Sequence, residues 1–352
     1  MSVSVCDLSL PGLSVFLHSS VKVWLSLYVC LVLPLSLYTS LTLHLMGLGL
    51  LICCLAYFKL PSPSPDRVKA VLGELHHGAG QEVGGVVAHR AACLDAPENS
   101  LEAVRLAARN GAKWIEFDVS FTSDMQAVAF HDDTVNRVTT TTGDINSFSL
   151  SQLAELDLAS KHPLSENFSN VRIPTVDQFI AECLRLNMKI IIDLKSYDLP
   201  EETVSLLTSL YTKYPDLKDN SLVTSFFPIL LYRLRSSDPD IVTAVSTRPL
   251  VLSCHCWEGT AASARPRYSG LKQLVAGLAD IVASFLMDTV IWWLVGLSAV
   301  LVHRHVITKE YVDKWRTRGV TVMAWTVNCP DEKTFYTKVL NIPVLSDTLE
   351  KY

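Results

Sequence analysis

Trp114-Ile115-Glu116-Phe117-Asp118-Val119 is the stretch on which the reading of this chain turns. It has the apolar character of a buried strand, and its only acidic residues stand two positions apart. Side chains alternate between the faces of a strand, so Glu116 and Asp118 share one face while Ile115, Phe117 and Val119 share the other. Two carboxylates so placed repel each other and lose hydration. A divalent cation with a preference for oxygen ligands compensates both costs. Upstream, Val86-Val87-Ala88-His89-Arg90 is an apolar run ending in a histidine, and downstream Val128-Ala129-Phe130-His131-Asp132 ends the same way. Two histidines, two carboxylates and an arginine thus arrive at strand ends within a short length of chain, which is the pattern of an active site.

Working outward, Pro97-Glu98-Asn99-Ser100 leads into a helix, with Asn99 expected as its N-cap, Glu102 completing a capping box and Gly111 as the stop. Strand, helix and strand in that order make a βαβ unit. Phe121 to His131 is expected to be a hairpin that turns His131 back towards the carboxylates. Residues 132–172 are polar and irregular and are expected to be an insertion. Helices are then expected at Val176–Leu186, Pro200–Tyr214, Pro228–Ser236 and Lys309–Arg318. Strands are expected at Lys189–Leu194, Leu222–Phe226, Ile241–Ser246, Ala299–Val302, Val320–Val327 and Ile342–Leu345. Without the hairpin's return strand this makes eight βα-type strands. The economical closure is an α/β fold of the (β/α)₈ barrel type, with active residues at the C-terminal strand ends.

The chain has 352 residues and a formal net charge of −5, with no basic stretch interleaved with aromatics, so nucleic acid is a poor partner. Of its nine cysteines four lie in or before the N-terminal apolar region, and the other five (Cys93, Cys183, Cys254, Cys256 and Cys329) show no paired metal spacing. Cys254-His255-Cys256 lacks a second ligand pair nearby, so it is read as a loop or strand end. From Val21 to Leu60 the sequence is almost continuously apolar, which makes 1–60 a membrane anchor region, with Leu41 to Phe58 the best span. The Pro-Ser repeat from Pro61 opens a linker over 61–82, leaving 83–352 for the barrel. Lys59, Arg67 and Lys69 hint at a cytoplasmic catalytic domain, whereas the sequon Asn167-Phe168-Ser169 points to the lumen or exterior. A second apolar stretch, 271–293, places Leu271, Leu274, Val275, Leu278, Ile281, Val282 and Phe285 on one helical face. Spanning there would divide the barrel strands between two sides of the membrane. A membrane-lying helix beside the barrel mouth is therefore expected, with a core helix as the alternative.

Asp193-Leu194-Lys195 repeats the i, i+2 logic of the first strand. Asp193 would be a third ligand beside Glu116 and Asp118, and Lys195 would neutralise a phosphate oxygen. Histidines flanking a metal-bound phosphodiester supply a general base and a general acid near neutral pH. The set suits phosphodiester hydrolysis.

Together, His89-Arg90, Pro97-Glu98-Asn99, Glu116-Phe117-Asp118, His131-Asp132, Ile173-Pro174-Thr175 and Trp325-Thr326-Val327-Asn328 resemble the signature of the glycerophosphodiester phosphodiesterase family. The resemblance runs from about Val83 onward. It implies a phospholipase-C-like (β/α)₈ barrel and a divalent metal, magnesium with calcium as the alternative. It also implies cleavage of glycerophosphodiesters, such as glycerophosphoinositol, to glycerol 3-phosphate and an alcohol. His89 and His131 would be the acid–base pair, Glu116, Asp118 and Asp193 the metal ligands, and Arg90, Lys195, Trp325 and Glu98 would bind substrate. Membrane members face the lumen or the exterior, which favours the sequon's topology. The chain departs from the family in Ala91, where glycine is usual, in Ser100 for threonine, and in Asp193 for glutamate. An Asp-Leu-Lys of this form also resembles sphingomyelinase D proteins. That keeps open a lysophospholipase D activity on lysolipids or N-acylated glycerophosphoethanolamine, and a membrane pseudoenzyme is the non-enzymatic alternative.

Overall fold

The structure, a computed structural model, describes residues 31, 33–75, 85–196 and 198–349. Two compact units meet between Lys59 and Leu60. In the first, Leu33–Phe58 is a single helix of 26 residues. Pro34 sits in its first turn, where a missing N–H costs no hydrogen bond, so the described part runs without a break. By length and composition this helix could cross a membrane. The first thirty residues of the expected anchor region lie outside the described residues.

Among its described residues the second unit is built on nine strands, β1 (Val86–Ala88), β2 (Trp114–Phe121), β3 (Ala127–Ala129), β4 (Lys189–Leu194), β5 (Ser221–Ser225), β6 (Thr243–Thr247), β7 (Ala299–His303), β8 (Thr321–Trp325) and β9 (Val344–Ser346). They run in the order β1-β9-β8-β7-β6-β5-β4-β2, and a further β1–β2 pairing closes the ring. All of these pairings are parallel, and β3 alone runs antiparallel, against β2, pairing Val119 with Ala129 and Phe121 with Ala127. The fold is therefore the eight-stranded barrel the sequence predicts, with the strand Lys189–Leu194 as expected and other element ends shifted by at most three residues.

Alternation sorts each strand into an outer face that packs on helices and an inner face that fills the barrel. Val87, Trp114, Ile191, Leu222, Ala244, Leu301, Met323 and Leu345 form one interior cluster. Two residues further along the same faces come His89, Glu116, Asp193, Thr224, Ser246, His303, Trp325 and Asp347, so the mouth is lined by polar and aromatic groups. Because the period is two, a buried apolar layer below dictates a functional layer above.

Three segments differ from the sequence expectation. Within the expected linker 61–82, Pro65–Leu72 is a helix capped by Ser64, which accepts from the Arg67 N–H. Val71, Leu72 and Leu75 are buried in the interior cluster. The segment plugs the barrel floor rather than acting as a spacer, because the closed sheet offers an apolar layer that water would otherwise reach. Residues 76–82 of that segment lie outside the described residues.

The helix after Ser100 begins at Leu101 and is capped by Ser100, whose Oγ accepts from the Ala103 N–H at 3.0 Å. Asn99, the expected cap, is instead left-handed (φ 55°) and sends its side-chain amide to Asp118. The insertion 132–172 is irregular as expected, yet Val135, Ile145, Leu153, Leu158 and Val171 give it a small core shared with Val128 and Phe130.

The second apolar stretch is the helix Gly270–Leu286 continuing through one π-turn to Val295. Asp280 docks it, accepting from the Leu252 and Ser253 N–H groups, and Lys314 pairs with Asp288. Leu271, Leu274, Leu278, Ile281 and Phe285 are more than half exposed. It is not a core helix. The β6–β7 and β7–β8 pairings on either side of it also keep all barrel strands in one sheet.

Candidate active site

β2 and β4 run in register, with Asp118 opposite Asp193, so Glu116, Asp118 and Asp193 converge on one point of the mouth. One carboxylate oxygen from each lies within 4.8 Å of the others, and all three residues are buried. Two cations stand among them. Lys195 Nζ lies 2.6 Å from Asp193 Oδ2 and 3.0 Å from Asp118 Oδ1, and Arg90 Nε lies 3.7 Å from Asp118 Oδ2. Glu116 Oε2 accepts the backbone N–H of Arg90 at 2.7 Å, and Asn99 donates to Asp118 Oδ2 at 2.9 Å.

Asp118 Oδ1 and Asp193 Oδ1 are buried and accept no hydrogen bond of good geometry among the described residues. Three hard oxygen donors, with Asp193 Oδ1 left unpaired and Asp118 Oδ1 beside the Lys195 ammonium alone, fit a divalent cation. The charges are strongly interdependent. Burial and then the neighbouring Asp118 push the Glu116 carboxyl up to about 8, while at Asp118 burial is overcome by Lys195, His131, Arg90 and the Asn99 amide together, which hold it far below the usual carboxylate range.

The expected histidines flank this cluster, each held by a carboxylate. His89 Nδ1 lies 2.6 Å from Asp347 Oδ1 and its Nε2 lies 3.9 Å from Glu116 Oε2. His131 Nδ1 lies 2.6 Å from Asp132 Oδ1. Both carboxylates are held ionised at neutral pH, Asp347 by His89 and Asn328 and Asp132 by His131 and Arg137 against burial. Each can only accept, so Nδ1 carries the proton in both rings and Nε2 is left for chemistry. Burial alone would lower the pKa of His89, but Glu116 and Asp347 carry it above its ordinary value. Burial and then Lys195 hold His131 below its own.

Of the expected substrate-binding residues, Arg90 and Lys195 stand at the carboxylates, and Trp325 faces inward at the end of β8. Glu98 lies behind Arg90. Arg137 binds both of its oxygens at 2.7 Å, and Arg90 Nη1 is 3.4 Å away. Its oxygens are thus occupied by two guanidinium groups. The turn that carries Arg90 is left-handed at Arg90, Ala91 and Ala92 (φ 48°, 65° and 66°). Alanine therefore keeps the loop conformation that glycine would adopt more cheaply. The sequence reading missed Asp347, Asn99, Arg137, Phe226 and His303. Asp347 and His303 could have been found by counting two residues beyond the interior apolar positions Leu345 and Leu301, whereas Arg137 gave no local signal.

The model of the glycerophosphoryl diester phosphodiesterase family matches residues 89–351. Glycerophosphodiester phosphodiesterase 1 of Mus musculus is 39% identical over 264 residues, covering 75% of this chain and 77% of the relative. The Homo sapiens protein of the same name is 37% identical over the same shares. The structure of an Oleispira antarctica phosphodiesterase in complex with the product sn-glycerol-3-phosphate superposes with a TM-score of 0.58 at 23% identity, covering 75% of this chain and 92% of that one. A glycerophosphodiester phosphodiesterase from Agrobacterium tumefaciens superposes with a TM-score of 0.55 at 18% identity, covering 75% and 96%. At these identities the two structures speak to the fold, whereas the family match and the mammalian relatives speak to descent: the chain belongs to the glycerophosphoryl diester phosphodiesterase family.

Proposed function

We propose that this chain hydrolyses glycerophosphodiesters to glycerol 3-phosphate and an alcohol, with His131 and His89 exchanging protons on either side of the phosphate. The observation that carries this reading is the pair of histidines, each oriented by a carboxylate through Nδ1, flanking three convergent buried carboxylates. Their surroundings drive their pKa values apart, which divides the labour. Neutral His131 takes a proton from the attacking water at Nε2. Protonated His89 gives one from Nε2 to the departing alkoxide oxygen as the phosphorus–oxygen bond breaks, and the phosphate stays on glycerol. Glu116, Asp118 and Asp193 would hold the divalent cation, magnesium with calcium as the alternative, which supplies charge neutralisation for the phosphoryl oxygens. Lys195 and Arg90 bind the phosphate oxygens. Glu98 positions Arg90 rather than touching substrate, and Trp325 packs against the organic part. The test is release of glycerol 3-phosphate from glycerophosphoinositol by the full-length protein in detergent, with chelator and with metal added back. Metal-dependent release supports the reading, and a chelator-insensitive rate removes the cation from it.

The exposed aliphatic face of Gly270–Leu286 supports a second substrate class, a lysolipid or N-acyl glycerophosphoethanolamine taken from a bilayer. In this reading Leu33–Phe58 anchors the chain and the second helix lies in the interface. Asn167 is exposed in its turn, which favours a lumenal or exterior catalytic unit and a glycan at that site.

A further inference from the structure

The half of the mouth away from the carboxylates is aromatic, and none of the proton transfers above uses it. His303 ends β7, faces inward and is only 3% exposed. Its ring lies 5.1 Å from Trp325, 5.1 Å from Trp257 and 5.3 Å from His305. Trp325 continues to Phe226 at 5.8 Å, and Lys195 Nζ stands 5.7 Å from the Phe226 ring, so this wall starts at the phosphate-binding groups and runs outward. The loop bearing Trp257 is closely fitted. Gly259 is at φ +88°, and a Cβ there would meet the His305 ring at 2.7 Å.

The wall carries two buried polar atoms with no hydrogen-bond partner among the described residues, His303 Nδ1 and Trp325 Nε1. Glu258 is near but not bonded, its Oε2 3.7 Å from His303 Nε2 and 3.9 Å from Arg304 Nη2. An orphaned buried donor or acceptor is destabilising, so a ligand that pairs with it gains what the free protein forgoes. Burial, then His305, pushes His303 down to about 4. Its ring is therefore neutral at pH 7 and can donate from one nitrogen while accepting at the other. Hydroxyl groups on a carbon skeleton satisfy both demands of the wall: ring faces take the C–H surface and orphan nitrogens take the hydroxyls. A quaternary ammonium would be drawn to the ring faces but could pair with neither nitrogen.

We propose that Trp257, His303 and Trp325 form the subsite for the alcohol that leaves, and that this subsite selects polyhydroxylated head groups over choline-like ones. The inference rests on the hydrolysis proposed above. Glycerol is common to every substrate of the class and spans only three carbons. The rings beyond Trp325 reach further than it needs, so the wall is assigned to the variable alcohol.

The experiment compares kcat/KM of the full-length protein for glycerophosphoinositol, glycerophosphoethanolamine and glycerophosphocholine, with glycerol 3-phosphate as an inhibitor. The variants are His303→Asn, His303→Ala and Trp257→Ala, the asparagine keeping a polar atom in case alanine does not fold. The wild type should favour the inositol ester over the choline ester by ~10²-fold, about tenfold for each of the two hydrogen bonds that choline cannot make. Each variant should narrow that ratio by tenfold or more, with the inhibition constant of glycerol 3-phosphate unchanged. A proportional fall on all three substrates assigns His303 to the framework and overturns the proposal. Weaker inhibition by glycerol 3-phosphate assigns the wall to glycerol and also overturns it. A wild type that prefers the choline ester makes the wall a cation cage, again against the proposal. A wild type that cleaves none of the three overturns the hydrolysis itself.

Discussion

Strands β1, β2 and β4 deliver His89, Glu116, Asp118, Asp193 and Lys195 to one half of the mouth, while β5, β7 and β8 deliver Phe226, His303 and Trp325 to the other. The first half is dense with charge, and most of its groups are held by a neighbour: Asp347 on His89, Asp132 on His131, Asn99 on Asp118, Glu98 on Arg90. Buried ions are tolerated only when so paired, and pairing also fixes their geometry. The second half keeps ring faces and unpaired nitrogens, an arrangement that waits on a ligand. Under the proposed function, the contrast would separate a part of the mouth that sets rate for all substrates from a part that sets choice among them.

Removing carboxylates should break the charged half most severely. Glu116→Ala and Asp193→Ala should each lower turnover by roughly 10³-fold or more, the loss of several kcal/mol of charge stabilisation, with circular dichroism unchanged. Near wild-type rates at limiting metal would show that the cluster does not hold the cation. His89→Ala and His131→Ala should each cost ~10²–10⁴-fold, equally on every glycerophosphodiester, since a proton carrier is indifferent to the head group. Substrate-selective losses would erase the distinction between the halves.

Asp347→Asn should cost less than His89→Ala and should move one limb of the pH–rate profile. Asp347 raises the pKa of His89, so its removal lowers that pKa and shifts the His89 limb towards acid. A profile that stays in place would detach His89 from the rate. Substituting Leu278, Ile281 and Phe285 together with Ser should leave hydrolysis of water-soluble glycerophosphodiesters as it was and lower activity on lysolipid in vesicles. Parallel losses on both would make the helix part of the fold's stability. The smallest effect belongs to the loop under His89, where Ala91→Gly should raise stability by about 1 kcal/mol, read as a higher Tm with kcat unchanged. A fall in Tm would mean that the left-handed turn is not strained.

Legibility followed the range of the forces involved. Alternation is local, so Glu116 with Asp118, and Asp193 with Lys195, could be placed on one face from spacing alone. So could the eight βα strands, and the apolar stripe from Leu271 to Phe285, whose exposure the structure now shows. The histidines were readable because each ends an apolar run. What escaped was decided by partners far along the chain. Asp347 reaches His89 across 258 positions only because β9 and β1 are neighbours in a closed ring. Pro65–Leu72 looked like a continuation of a proline-rich spacer, and it became a floor plug only once the barrel presented an apolar layer to cover. Asn99 carried every local mark of a helix cap and was diverted, because a buried carboxylate on β2 offered its amide a better partner. Periodicity and residue chemistry thus determined the strands, their faces and the candidate catalytic side chains. Ring closure, which sets distant segments side by side, decided which groups hold them and what the other half of the mouth contains.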